Sequence, residues 1–212
     1  MAYLKNISKL GRLLAPSLLW NMPRNTNTIY LSFDDGPHPE ITPRVLNTLK
    51  AYDAKATFFC VGENILQFPE VFQQIIAEGH SFGNHTHNHL KGWETSTSNY
   101  LENTLKAEDA ISNYSGIMNH QKFFRPPYGK IKHSQAKRLK QLDYKIVMWD
   151  ALSADFDPSI TAEECYNNVI ENTKAGSIVV FHDSEKASKK LKSVLPRVLE
   201  YYSSKGFTFK GL

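Results

Sequence analysis

From residue 25 onward, short apolar runs alternate with longer stretches whose apolar positions recur every three or four residues. The short runs fall at 28–33, 56–61, 80–83, 122–125, 145–149, 177–182 and 207–210 and read as strands. Between them, helical spacing places Val45, Leu46 and Leu49 on one face of 43–52, and Val71, Phe72, Ile75 and Ile76 on one face of 69–78, where Gly79 follows as a stop. Further helices are predicted at 98–114, 134–142, 161–174 and 188–204. Thr161 with Glu164 is a capping box at the start of the fifth, and Pro196 is expected to break or restart the sixth. Strand–helix units in this succession define an α/β domain with a mostly parallel sheet. About seven strands suit either a barrel or a doubly wound sheet, and periodicity does not choose between them.

The first 24 residues differ from the rest. Leu4, Ile7, Leu14 and Leu18 would make an amphipathic stripe, expected to pack as an N-terminal extension on a single domain of residues 25–212. Pro16 interrupts the apolar run there, and no stretch approaches the ~20 apolar residues needed to span a bilayer. No export signal is evident, so the expected location is cytoplasmic by default, with export left open.

Composition narrows the classes. With 212 residues, 41% of them hydrophobic, the chain can bury a substantial core. A net charge of +4, from 25 basic and 21 acidic residues, is too mild and scattered for a nucleic-acid partner, and no protein partner is indicated. The basic cluster at 186–192 reads as a solvated helix face. Cys60 lies in an apolar strand and Cys165 on a helix, so neither forms a disulfide framework or a CxxC metal site.

The candidate chemistry sits at the ends of strands. Ser32-Phe33-Asp34-Asp35-Gly36 places two carboxylates side by side at a glycine turn. Asp-Asp-Gly alone is ordinary turn chemistry, but two adjacent buried anions need a cation or a shared proton. Gly83-Asn84-His85-Thr86-His87-Asn88-His89 supplies cation ligands, and an acidic pair with a histidine cluster suggests a metal-dependent hydrolase. On a helical turn His85 and His89 would share one face, with His87 joining only in an extended segment. Thr86 stands where the zinc-protease pattern requires Glu, which excludes that class. Phe124-Arg125-Pro126-Pro127-Tyr128-Gly129 is a stiff turn whose two prolines can hold the Tyr128 amide in place as a donor. His182 ends the run Ile178-Val179-Val180-Phe181, where a lone histidine is commonly structural, and Asp150 or Asp155 follows another strand. All these residues lie at or just after C-terminal strand ends, where active sites of parallel α/β folds form.

The ordered set Ser-Phe-Asp-Asp-Gly, His-Thr-His-Asn-His, Arg-Pro-Pro-Tyr-Gly and Val-Val-Phe-His-Asp resembles the polysaccharide deacetylases of carbohydrate esterase family four, the NodB-like fold, over about residues 27–210. The resemblance implies a distorted (β/α) barrel of about seven parallel strands, a divalent metal and N-deacetylation of an amino sugar or N-acetylated glycan. It implies Asp34 as general base, Asp35, His85 and His89 as metal ligands, and Arg125 as the residue positioning the base. It further implies the Tyr128 amide as oxyanion donor, His182 as general acid and Asp155 as the carboxylate tuning His182. The chain departs from many relatives at Phe156, where tryptophan is common, and near Leu152, where an acidic residue is common, so the departures fall on the expected wall of the sugar pocket.

Such a set answers a chemical need. An acetamide is a poor electrophile and an amide anion a prohibitive leaving group, so a base for water and an acid for nitrogen are both required. A metal with three protein ligands keeps open positions and can bring the pKa of a bound water to about 7. One carboxylate and two imidazoles suit zinc best, with cobalt, manganese or nickel also accommodated. The same ligand types serve non-haem iron oxygenases, but there Asp34, Arg125 and His182 would have no role. An amidohydrolase for a small non-glycan amide and a non-catalytic glycan-binding relative remain as alternatives, the second disfavoured by the presence of both Asp34 and His182.

Overall fold

The computed structural model describes residues 11, 13, 15–116 and 121–212. Eight strands form one sheet: β1 (Thr28–Asp34), β2 (Thr57–Cys60), β3 (Ser81–Asn84), β4 (Phe123–Phe124), β5 (Lys145–Ile146), β6 (Ala151–Leu152), β7 (Ile178–His182) and β8 (Thr208–Lys210). The order is β5-β4-β3-β2-β1-β7-β6, with β8 also on β1, and every strand pairing is parallel. The result is a distorted (β/α) half-barrel. Seven of the strands match the expected ones; β6 is additional, because Ala151 and Leu152 lie between Asp150 and Ser153 and make no apolar run of their own.

Seven helices connect the strands among the described residues: α1 (Ile41–Lys50), α2 (Gly62–Gln67), α3 (Pro69–Ala77), α4 (Thr97–Ser115), α5 (His133–Gln141), α6 (Ala162–Asn172) and α7 (Ser188–Ser203). Thr161 caps α6 as expected, its hydroxyl accepting from the Glu164 amide. The expectation at Pro196 is corrected, since α7 runs through it without a break. Its apolar face, Leu191, Val194, Leu195, Val198 and Leu199, is buried in the main core, and that packing outweighs one lost backbone hydrogen bond.

Strand alternation sorts the two faces of the sheet. Ile29, Leu31 and Phe33 of β1, Phe58 and Cys60 of β2, and Val179 and Phe181 of β7 join the core beneath the helices. Phe33 stacks between Phe58 and Phe181, with ring centroids 5.1 and 6.0 Å away. The intervening residues point into the half-barrel, where Phe59, Ile178 and Val180 meet Trp20, Val147 and Trp149. Ser32, Asp34 and His182 share this inward parity, and Asp34 and His182 are direct cross-strand partners in the β1–β7 register.

The segment before β1 lies against the opening between β5 and β7. The Leu19 amide donates to Ile146 O at 2.9 Å, Met148 donates back to Leu19 O at 2.7 Å, and Met22 donates to Gly176 O at 2.8 Å. Trp20 is buried and Arg24 pairs with Asp150 at 2.6 Å, so Asp150, one of two strand-end aspartates singled out, is tied to this segment. Of the expected N-terminal stripe, Leu4, Ile7 and Leu14 lie outside the described residues; Leu18 packs against buried residues. Among the described residues no helix is long and apolar enough to cross a membrane.

Candidate active site

Asp35, His85 and His89 converge beyond the C-terminal ends of β1 and β3, and one ligand atom from each lies within 4.8 Å of the others. Asp35 Oδ1 is 3.2 Å from His89 Nε2 and 3.7 Å from His85 Nε2. The expected helical turn is corrected here. Residues 85–89 form an irregular loop, and left-handed backbone at Thr86 (φ 64°) and His89 (φ 52°) turns the second imidazole back toward the first. His87 does not join them; its ring packs beside Gly62 and Ala107. Asp35 is itself left-handed, at φ 81°. Seven non-glycine residues among those described have positive φ, and five of them, Asp35, Thr86, His89, Tyr128 and Ala154, lie in the loops that carry the candidate site residues. Each such conformation costs on the order of 1–3 kcal/mol, so the surrounding structure must impose it.

The triad fits a divalent cation. His85 Nδ1 donates to Arg125 O at 2.7 Å, which fixes the tautomer and leaves Nε2 with a free lone pair. Burial lowers the His85 pKa to about 4, against the opposing pull of the Asp34 charge, so the imidazole is a neutral ligand at neutral pH. Burial would raise the Asp35 pKa, but the His89 hydrogen bond and the nearby His182 hold it well below the usual carboxylate range. These are the protonation states a cation needs.

On one side stands Asp34. Arg125, fully buried, donates from Nη1 to Asp34 Oδ1 and to Ser32 Oγ, both at 2.7 Å. Nη2 donates to Met148 O at 3.1 Å, and the guanidinium lies 4.0 Å from the centre of the Phe59 ring. Ser32 Oγ passes its own proton to Val179 O at 2.8 Å. The guanidinium thus has partners within the half-barrel and aims a charge-assisted hydrogen bond at one oxygen of Asp34.

On the other side stands His182. Asp155, fully buried, accepts from His182 Nδ1 at 2.7 Å through one oxygen and from the His182 amide at 2.9 Å through the other. Burial would lower the His182 pKa, but Asp155, with smaller contributions from Asp35 and Asp34, raises it to about 9. Phe156 packs edge-on against the His182 ring, 4.8 Å between centroids. Leu152 pairs with Val180 through β6 and is buried in the inward-facing cluster against which Phe156 also packs. The basic cluster at 186–192 is not solely solvated either, since Lys190 Nζ donates to Asp155 O at 3.2 Å and Asp157 O at 2.6 Å.

Tyr128 lies in the turn after the two prolines at φ 60°, its ring 4.7 Å from that of His89. Asp183 is a residue the sequence reading quoted without assigning. Buried next to His182, it accepts from Thr42 Oγ at 2.5 Å and from the Gly36 amide at 3.1 Å, and burial pushes its pKa up to about 7. A Cβ on Gly36 would fall 2.1 Å from Asp183 Oδ2, so only glycine fits directly after Asp35. Its signal in the sequence was its place beside a strand-end histidine. Cys60 and Cys165 are both buried and unpaired, as expected.

A parallel half-barrel with an Asp-His-His triad at its strand ends, an arginine-held carboxylate on one side and a carboxylate-held histidine on the other, defines a metal-dependent hydrolase. The family model for polysaccharide deacetylase matches residues 21–147, and the chain belongs to that family. It is a metal-dependent glycan deacetylase, acting on a carbon–nitrogen bond outside peptides. A Bacillus cereus peptidoglycan-N-acetylglucosamine deacetylase is 36% identical over 162 residues, covering 76% of this chain and 58% of the relative's own length. A second such enzyme from B. cereus is 35% identical over 194 residues, covering 90% of this chain and 88% of the relative. The solved structure of the Bc1960 peptidoglycan N-acetylglucosamine deacetylase superposes with a TM-score of 0.86 at 32% identity, over 92% of this chain and 91% of that one.

Proposed function

We propose that the chain removes the acetyl group from N-acetylglucosamine residues of a peptidoglycan-type glycan. The relatives described above support that substrate by their names. The observation that carries the reaction is the placement of Asp34 and His182 as cross-strand partners beside the triad.

Asp35, His85 and His89 would hold the cation, zinc by the mixed carboxylate and imidazole chemistry. When bound, it would supply Lewis acidity toward the acetyl oxygen and acidify water. Asp34, oriented by Arg125, takes a proton from the water that attacks the acetyl carbon. The Tyr128 amide donates to the oxygen on which negative charge develops, a type of contact whose removal typically costs about 3 kcal/mol of barrier. His182, kept protonated at neutral pH by Asp155, delivers a proton to the nitrogen as the C–N bond breaks, so acetate and a free amine leave. Neither half suffices alone: without Asp34 the water stays a poor nucleophile, and without His182 nitrogen would depart as an anion.

The test is a kinetic split in His182→Ala. Hydrolysis of an acetylated sugar amide should fall at least about a hundredfold, the scale of general acid catalysis, whereas an aryl acetate, whose leaving group departs unprotonated, should lose far less. An equal fall on both substrates would remove His182 as leaving-group acid.

A further inference from the structure

Helix α7 opens against its own electrostatics. Lys189 and Lys190 stand in its first turn and Lys186 just before it, with no acidic side chain in that turn to meet the N-terminal end of the helix dipole. Ala187, the residue before the helix, supplies no capping side chain. Lys186, Lys189 and Lys192 are exposed, as a solvated face requires, but Lys190 is half-buried. Its ammonium turns to the loop after β6, donating to Asp155 O at 3.2 Å and to Asp157 O at 2.6 Å. These two carbonyls flank Phe156, whose ring packs 4.8 Å from that of His182. The loop needs holding. Ala154 is left-handed at φ 58°, a conformation that a residue with a Cβ keeps only where its surroundings impose it. Asn168 Nδ2 donates to Ser153 O at 3.1 Å and ties down the start of the loop, and Lys190 ties down its far side. A cation placed where the helix itself disfavours one thus has a task on a neighbouring element.

We propose that Lys190 is a positioning residue for the deacetylation: by gripping the carbonyls on either side of Phe156, it fixes the loop that aims the Asp155 carboxylate at His182. An ammonium carries three donors and no acceptor, so one side chain serves both carbonyls, and its charge strengthens both bonds. Asp155 needs accurate placement, because its two oxygens meet two different donors, His182 Nδ1 at 2.7 Å and the His182 amide at 2.9 Å. A shift of the 155–157 backbone breaks that two-point fit and frees the imidazole to turn away from the leaving nitrogen. Lys190 acts through the loop and not on the reacting atoms. The inference rests on the reading of His182 as leaving-group acid and deepens it.

Lys190→Met keeps the length of the stem and removes the donors, whereas Lys189→Met removes the same charge one residue away. Both are compared with wild type, zinc-loaded, on an acetylated sugar amide and on an aryl acetate across pH, and the proton on His182 Nδ1 is followed by NMR. In Lys190→Met the downfield signal of that proton should weaken, and kcat on the amide at pH 7.5 should fall about threefold. The alkaline limb of the profile should move to lower pH, and that direction decides between two roles. His182 is faced by Asp155, Asp35 and Asp34, and these variants keep all three. Were Lys190 only a nearby positive charge, its removal would favour the imidazolium and move the limb to higher pH. Loosening Asp155 does the opposite, because burial then prevails. Lys189→Met should match wild type, aryl acetate turnover should stay unchanged throughout, and Lys190→Arg, which restores donors and charge, should recover most of the amide rate. In an Asp155→Asn background Lys190→Met should add little, since both act through one contact. An unchanged Nδ1 signal in Lys190→Met, a limb displaced to higher pH, or an undiminished loss on top of Asp155→Asn overturns the role of Lys190 and leaves His182 standing as the acid. A weakened signal with an unaltered amide rate removes His182 as the acid, and the part of Lys190 in the reaction with it.

Discussion

Replacing Asp155 with asparagine keeps the side-chain shape and removes the charge that controls His182. Both oxygens of Asp155 are engaged, one with the imidazole at 2.7 Å and one with the backbone amide at 2.9 Å. In the native protein the His182 pKa is raised to about 9 against a burial effect that alone would lower it below 6.5. Without the carboxylate, burial dominates, and the pKa should fall by more than about two units. At pH 7.5 the protonated fraction would drop from nearly all to about a quarter or less, so kcat on an acetylated sugar should fall about fourfold or more. The fall should be smaller at pH 5.5, because the alkaline limb of the profile moves to lower pH. A bound cation would lower the His182 pKa in both proteins, so the comparison between the two profiles is the readout. Stability follows the same sign. A histidine whose folded pKa is raised contributes fully below its unfolded pKa of 6.5, and the contribution is lost as pH rises through about 9. Asp155→Asn should therefore cost on the order of 3 kcal/mol near pH 6 and progressively less toward pH 9, read by chemical denaturation. Superimposable alkaline limbs for the two enzymes, with unchanged His182 titration by NMR, would refute this.

Removal of the triad and of its neighbouring ion pair should separate in their effects. His85→Ala/His89→Ala should lose stoichiometric divalent metal in elemental analysis while its far-ultraviolet dichroism stays native; full occupancy would exclude these residues as ligands. Arg125→Met should destabilise the fold by about 3–5 kcal/mol, because it leaves the Asp34 carboxylate, buried beside it, without its partner. A denaturation midpoint equal to wild type would show that the pair contributes little.

Much of the site was legible because strand periodicity and turn chemistry are local. Asp34, His85, Arg125 and His182 could be placed at strand ends from short apolar runs closed by polar residues or turns. What joins them is not local. The direct pairing of Asp34 with His182 depends on β1 lying beside β7, a neighbour relation spanning nearly 150 residues that no short window contains. The choice between Asp150 and Asp155 was equally tertiary, since it depends on Arg24 claiming the first and the β7 backbone presenting His182 to the second. The spacing of His85 and His89 suggested a helical turn, but left-handed residues achieved the same convergence in a loop. Asp183 was hidden because its meaning lies in the contact with Gly36 and Thr42, two residues from the far end of the chain.

Acetate release before and after metal removal tests the central claim most directly. The protein is stripped with chelator, reloaded with one equivalent of zinc and assayed on an N-acetylglucosamine tetrasaccharide, with acetate and new amine quantified together and Asp34→Asn carried alongside. Stripped wild type should be inactive. Reloaded wild type should release acetate and amine in equal amounts, and reloaded Asp34→Asn should bind the metal yet lose about a hundredfold or more of the rate. Undiminished release by the stripped enzyme, or near-normal turnover by reloaded Asp34→Asn, would contradict a metal-dependent deacetylation in which Asp34 is the base.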